Sequence, residues 1–200
     1  MNPWRDPPTL AGTHVTVRPL ARVDRDAIVH AFAIGLDHVF ATMVPHEDTI
    51  DGWYDKLERE GCAGRAMPFT VLDAGGTVAG VTRFMRMAPE HRRLEIGGTV
   101  YAARVQRTGL NTQAKLLLLA HAFETMEANC VQLRTNWHNR ASRRAIERLG
   151  ARMDGVLRGH AIMPDGQVRD TIVYSIQAHE WPGVRLNLRH LLAEHEERNR

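Results

Sequence analysis

Cysteine is scarce in this chain, with only Cys62 and Cys130 among 200 residues. Two cysteines supply neither a disulfide framework nor a cysteine-based metal set. Nothing beside either one would activate it as a nucleophile, so Cys130 reads as a small buried apolar residue and Cys62 as exposed at a helix end. Aromatic residues are 6% of the chain, too few for the stacking platform of a single-strand nucleic-acid binder. Long apolar runs are missing: the longest, LLLLA at 116–120, sits inside an amphipathic pattern and falls far short of a membrane span. The first ten residues lack the apolar stretch of a signal peptide, which makes a cytoplasmic protein the expectation. Lysine is rare as well, since nearly all the basic residues are arginine. The pI of about 9.2 overstates the basicity, because formal net charge is only +3 and the arginines are scattered among acids. No stripe or patch for nucleic acid results, whereas arginine serves a phosphate-rich small ligand equally well. His46, His91, His121 and His138 lie far apart without cysteine or carboxylate companions at recurring spacing, so no metal site is predicted.

What is present describes one mixed α/β domain. The hydrophobic share of 44% suits a globular core at this length, and no internal repeat or low-complexity segment interrupts it. Residues 1–12 read as an extended, proline-bearing lead-in. HVTVRPL from His14 alternates as a strand, and a helix follows with Asp24 as its expected N-cap. A second helix from Asp48 ends at Gly61. PFTVLD from Pro68 and TVAGVTRFMRM from Thr77 form a hairpin across Ala74-Gly75-Gly76. RLEIGGTVYA from Arg93 is a further strand, with Gly97-Gly98 marking a bulge or close backbone approach. A long helix is expected at 110–127, a short strand from Cys130, a helix from Asn139 stopped at Gly150, and a last hairpin crossing Pro164-Asp165-Gly166. An amphipathic helix from Glu180 closes the chain. The expected domain covers 1–181, with 182–200 as a C-terminal helical extension able to serve as a docking arm or support a homodimer.

The loop before the long helix is the most informative segment. Gln106-x-x-Gly109-x-Asn111 joins a strand end to a helix N-terminus, where unpaired backbone N–H groups attract anions. No Gly-Lys-Ser/Thr closes a P-loop and no third glycine completes a dinucleotide fingerprint. The spacing points to a phosphorylated ligand held by backbone rather than by a dedicated lysine.

Taken with its neighbours, this loop resembles a known family. The segments LEIGGTVYA (94–102), QRTGLNTQAKLLL (106–118), VQLRTNWHNRASRRAIERLGA (131–151), DGVLR (154–158) and DTIVYSI (170–176) resemble the GNAT acetyltransferases, in particular the ribosomal-protein alanine N-acetyltransferases, over nearly the whole chain from about His14 to Trp181. The resemblance implies a GNAT fold, a mixed and mostly antiparallel sheet flanked by helices, and acetyl-CoA as co-substrate. It places the pyrophosphate on the N–H groups of Gln106, Arg107, Thr108, Gly109, Leu110, Asn111 and Thr112. The pantetheine arm would pair with the strand at Thr99, Val100 and Tyr101 as an added β-strand, and Asn139 and Ser142 would contact its thiol end. Where the family pattern has Gly or Ala, this chain has Asn111, a residue that tolerates tight left-handed backbone.

The reaction implied is direct attack of an amine on the thioester. It needs a base or water chain, an oxyanion N–H and a donor for the leaving thiolate. The donor of many members is a tyrosine seven residues after the helix-opening asparagine; here that position is Ile146, and Ser142 is the candidate instead. Glu95, on the strand leading to the thioester, and His160, an imidazole able to accept a proton, are candidates for the base. Each has a plain structural alternative: Ser142 as a helix-start hydroxyl, Glu95 as a solvated residue or a partner of Arg93, His160 as one of eleven histidines. Tyr174 reads as core with its hydroxyl satisfied, and Trp137 as either a cofactor flank or a loop anchor. The acceptor is a protein N-terminal amine or a small amine; Glu47, Asp48 and Asp51 could furnish an acidic pocket for a polyamine. The alternative from another class is a non-catalytic CoA-binding sensor, suggested by Ile146.

Overall fold

The computed structural model describes residues 2–36, 39, 42–163 and 166–198. Eight strands form one sheet: β1 (Leu10–Ala11), β2 (Val15–Pro19), β3 (Ala66–Asp73), β4 (Val78–Ala88), β5 (Arg93–Tyr101), β6 (Cys130–Asn136), β7 (Arg152–Ile162) and β8 (Val168–Gln177), in the order β1-β2-β3-β4-β5-β6-β8-β7. Five α-helices flank it: α1 (Arg25–Phe32), α2 (Ile50–Cys62), α3 (Leu110–Ala120), α4 (Arg140–Arg148) and α5 (Trp181–Arg198). The expected mixed, mostly antiparallel sheet is the one observed. The lead-in at 1–12 contributes the two-residue β1 and is pinned by Trp4, whose indole N–H donates to the Met126 carbonyl at 3.0 Å. The turn expected at 164–166 falls partly outside the described residues.

Every neighbouring pair is antiparallel except β5–β6. Those two strands pair in parallel only where Arg93–Glu95 meets Cys130–Gln132. Beyond that point β5 runs on to Tyr101 and β6 to Asn136 without pairing to each other, so the sheet opens along a seam. A gap of this kind exposes strand-edge N–H and C=O groups to whatever enters it. Opposite the seam, the β4–β5 register advances by three residues on β5 (Gly97 to Val100) against two on β4 (Val81 to Arg83). One extra residue is therefore accommodated as a bulge. Gly98 sits in it at φ +57, and a Cβ there would lie 2.8 Å from Arg83 Nε.

Both faces of the sheet are covered. On one, α3 and α5 bury Leu110, Ala114, Leu118, Val184 and Leu188 against Val15, Phe69, Phe84, Leu94 and Ile96. On the other, α1 and α2 bury Ile28, Ile50 and Tyr54 against Val78, Val81 and Val100. At roughly 1.5–3 kcal/mol per fully buried large apolar side chain, these layers dominate the favourable side of folding. The long helix is shorter than expected: α3 ends at Ala120, and a π-helical turn over His121–Thr125 completes it. Asp24 does not cap α1. Its carboxylate is buried, accepting from Arg18, from Thr70 Oγ1 at 2.6 Å and from Ala21 N–H at 3.2 Å, so it ties β2, β3 and the turn before α1 together. No helix among the described residues is long and apolar enough to cross a membrane.

Candidate functional site

The seam between β5 and β6 holds a cavity of about 210 Å³, walled by α3 and α4. Gly97, Gly98, Thr99 and Tyr101 line it from β5, Leu133 and Arg134 from β6, Asn111 and Lys115 from α3, Ser142 and Ile146 from α4, and Arg169 from β8. The α4 wall is set by Asn139, whose side-chain oxygen caps the helix by accepting from Ser142 N–H at 3.0 Å. Capping keeps Ser142 in the first turn with its hydroxyl on the cavity. Ile146 lies one turn further along the same wall, apolar and 7% exposed.

Several residues of the expected cofactor set reach this cavity and others do not. Thr99 lines it, with its hydroxyl 2.8 Å from that of Thr82. Tyr101 lines it too, and its phenol oxygen is buried without a partner, which pushes the phenol pKa upward through loss of solvation. Val100 turns its side chain into the other core, leaving only its backbone at the seam. Gln106 and Arg107 are exposed, with Arg107 at φ +62. Thr108 spends its hydroxyl locally, donating to the Val105 carbonyl at 2.7 Å and accepting from Leu110 N–H at 3.3 Å. Leu110 is core. Thr112 is buried and accepts from Arg148. Asn111 faces the cavity, and the N–H groups of Asn111 and Thr112 have no partner among the described residues.

Gly109 differs from expectation. Its N–H donates to His195 Nε2 at 3.0 Å, and a Cβ on it would meet the same imidazole at 2.9 Å. At this position the end of α5 lies against the start of α3, and a side chain larger than glycine would have to displace the His195 ring. His14, paired with Glu196 at 3.0 Å, completes that contact.

The two candidate bases are not brought together. Glu95 is 4% exposed rather than solvated, and its partners are Arg86 at 2.9 Å and Arg134 at 3.2 Å, not Arg93. These are charge contacts rather than well-aligned hydrogen bonds. Burial raises the Glu95 pKa, and the two guanidinium groups oppose that rise. His160 sits exposed on β7, at the sheet's edge, with Nδ1 3.0 Å from Thr171 Oγ1, and does not line the cavity. The carboxylates considered for an acidic acceptor pocket are elsewhere as well: Glu47 and Asp51 pair with Arg25 at the surface, at 2.7 and 3.2 Å. Trp137 lies under the Arg143 guanidinium, 4.7 Å from it, and is not in the cavity wall. Tyr174 is core, with its hydroxyl donating to Glu147 at 2.7 Å.

Sequence reasoning passed over Lys115, one of only two lysines in the chain. It is 6% exposed on α3, and its ammonium donates to Thr99 Oγ1 at 3.1 Å. No carboxylate among the described residues pairs with it, and burial alone lowers its pKa to about 8. The signal was present: Lys115 stands three and four residues before Leu118 and Leu119, on the face that must be buried. Arg134 and Arg169 were also missed, since the seam that gathers them joins segments distant in sequence. The unpartnered Tyr101 phenol, the uncompensated Lys115 cation and the free N–H groups opening α3 fit a ligand with phosphate at one end and carbonyl and sulfur acceptors at the other.

Comparison with known proteins agrees with this architecture. The family profile described as "Acetyltransferase (GNAT) domain" matches residues 14–152. The Bacillus subtilis (strain 168) protein YdaF, provisionally named a ribosomal N-acetyltransferase, is 30% identical over 108 residues. That alignment covers 54% of this chain and 58% of YdaF, so the chain spans a little over half the length of this curated relative. A GCN5-related N-acetyltransferase from Brucella melitensis superposes with a TM-score of 0.83 at 26% identity, covering 94% of this chain and 89% of its own. Mycobacterium smegmatis RimJ, solved in complex with CoA-disulfide, shares the fold at a TM-score of 0.78 and 22% identity, over 94% of this chain and 96% of that one. With a family match over residues 14–152, most of its length, the chain belongs to the GNAT acetyltransferase family.

Proposed function

We propose that this protein transfers the acetyl group of acetyl-CoA directly to a primary amine, with a protein N-terminal amine as the acceptor class. The observation that carries this reading is the cavity at the β5–β6 seam, where Thr99, Tyr101, Lys115 and Ser142 converge beside the unpartnered N–H groups of Asn111 and Thr112. Those N–H groups, at the positive end of α3, would hold pyrophosphate. The open edge of β5 from Gly97 to Tyr101 would take the amides of the pantetheine arm. Bound there, acetyl-CoA supplies an activated acyl carbon and a thiol leaving group. Ser142 presents a hydroxyl to that end of the cavity, and the Glu95–Arg86–Arg134 cluster fixes charge beside it.

The acceptor class follows from charge. The cavity's described charged lining is Lys115, Arg134 and Arg169, and an adjoining depression carries Lys56 and Arg83. A polyamine or aminoglycoside would meet repulsion. A single α-amine followed by neutral or acidic residues would meet less of it, which is compatible with the name given to YdaF.

The test is calorimetric titration with CoA, followed by thiol release from acetyl-CoA with alanine-terminated peptides, spermidine and an aminoglycoside as acceptors. CoA binding with release driven by peptide amines supports the reading. Tight binding with no acceptor turned over favours a non-catalytic CoA module, for which Ile146 in place of a proton donor is the specific observation. Absence of CoA binding would overturn both.

A further inference from the structure

We propose that the Lys115 ammonium is the partner of the leaving thiolate, standing in for the hydroxyl donor that Ile146 cannot supply. The proposal rests on the acetyl-CoA reading above. A lysine 6% exposed, with one hydroxyl as its hydrogen-bond partner and no carboxylate paired with it among the described residues, is an expensive arrangement in a protein interior. Lys115 lines a cavity, and among the described residues a single hydrogen bond, to Thr99, uses its three N–H donors. The unmet capacity and the uncompensated charge both call for an anion or strong acceptor there. Lys115 lies four residues beyond Asn111, about 6 Å down the helix from the N–H groups assigned to pyrophosphate. The bond to Thr99 directs the ammonium to the β5 bulge, where the seam begins to open. Ser142 and Ile146 face it from α4.

In the transfer step the acceptor nitrogen bonds to the acyl carbon and the carbon–sulfur bond breaks, its electron pair going to sulfur. The sulfur takes a proton from Lys115 Nζ, giving free thiol and a neutral amine. Solvent returns the proton to Nζ, and the proton lost by the acceptor amine leaves to water. The other titratable or charged groups facing this space are Tyr101 from β5, Arg134 from β6 and Arg169 from β8; the α4 wall offers only Ser142, Ala145 and Ile146. Arg134 is already committed to Glu95 and Gln132. Arg169 bonds Thr171 on its own strand, whereas Lys115 is held by Thr99 at the β5 bulge, so Lys115 is the cation whose removal should matter to sulfur.

The experiment follows the thiolate absorbance of CoA bound to the full-length protein as pH is raised, with desulfo-CoA complexes as blanks. Wild type and Lys115→Met are compared after each has been shown to bind CoA by calorimetry. The expected result is a bound thiol that titrates about one pKa unit or more lower in wild type than in K115M, a tenfold or greater shift in its ionisation. Equal titration in the two proteins would sink the proposal while leaving the cofactor reading intact. Loss of all CoA binding in wild type would instead sink the cofactor reading. Should K115M fail to fold, wild type alone still decides: a bound thiol titrating at or above that of free CoA overturns the assignment.

Discussion

Two side chains at the cavity separate stability from function. Lys115 holds a charge where solvation is poor, and its pKa falls from 10.5 to about 8. That difference corresponds to roughly 3 kcal/mol of destabilisation while the group is charged. For a base whose folded pKa is depressed, the unfolded chain binds more protons between the two values. Wild-type stability therefore rises as pH goes from about 8 towards 10.5. Lys115→Met should melt higher than wild type at pH 7, by several degrees for a chain of this size. The advantage should shrink as pH approaches 9.5; thermal melts across that range measure it, and a constant gap would show that packing rather than charge is responsible. Ser142 tells a different story. Its N–H, not its hydroxyl, completes the α4 cap, so Ser142→Ala should leave the fold and CoA affinity nearly unchanged. Turnover with a peptide acceptor should fall about tenfold, the worth of one hydrogen bond of ~1.4 kcal/mol. A parallel loss of CoA affinity would assign Ser142 to binding instead. Ser142 was named through the resemblance of its segment to the family, and its place beside the capping Asn139 is a local feature of the sequence. His160 could be named only as a titratable residue on a strand, and the strand proved to be the outermost one.

Helices α3 and α5 meet where the opening loop does its work. Gly109 N–H bonds His195, and a Cβ on the glycine would push that ring aside. A Gly109→Val substitution should therefore act first on the docking of α5, lowering the melting temperature by an amount that depends on His195. The double variant Gly109→Val/His195→Ala should recover part of the loss, since residues in contact couple by roughly 0.5–3 kcal/mol. Strict additivity in a double-mutant cycle would show that the two do not share a contact. CoA affinity in the same variants then reports separately on the N–H groups of Asn111 and Thr112, which face the other way. The sequence marked this loop correctly as a helix start with spare donors, because glycine and helix periodicity are readable at short range. Which donors stay spare was not readable: the Gly109 N–H is taken by His195, 86 residues later.

Across the whole molecule, acid sensitivity should trace to the buried network that joins β2, β3 and the turn before α1. Burial works against the Asp24 carboxylate, but bonds from Arg18, Thr70 and Ala21 prevail and lower its pKa below 3.8. A carboxylate with a depressed folded pKa contributes stability that is present above its unfolded value and lost as pH falls through the folded one. Asp73, held by Arg104, shifts the same way and adds to the effect. Wild-type melting temperature should thus drop from about pH 4 downward, and Asp24→Asn should be less stable at pH 7 with a flatter acid limb. An unchanged acid limb in that variant would place the sensitivity elsewhere. The order of strands and helices was legible along the chain because strand alternation, glycine turns and a capping asparagine act within a few residues of themselves. The sequence by itself also marked the start of α3 as a helix opening with backbone donors to spare, the reason a phosphate-bearing ligand is proposed there. Only the tertiary structure decided that β5 and β6 part after three paired residues, that Lys115 is enclosed there without a carboxylate, and that Glu95 is clasped by Arg86 and Arg134. Those outcomes depend on which distant segments share a small volume, where burial and partnership, not residue type, set the charge and reactivity of each group.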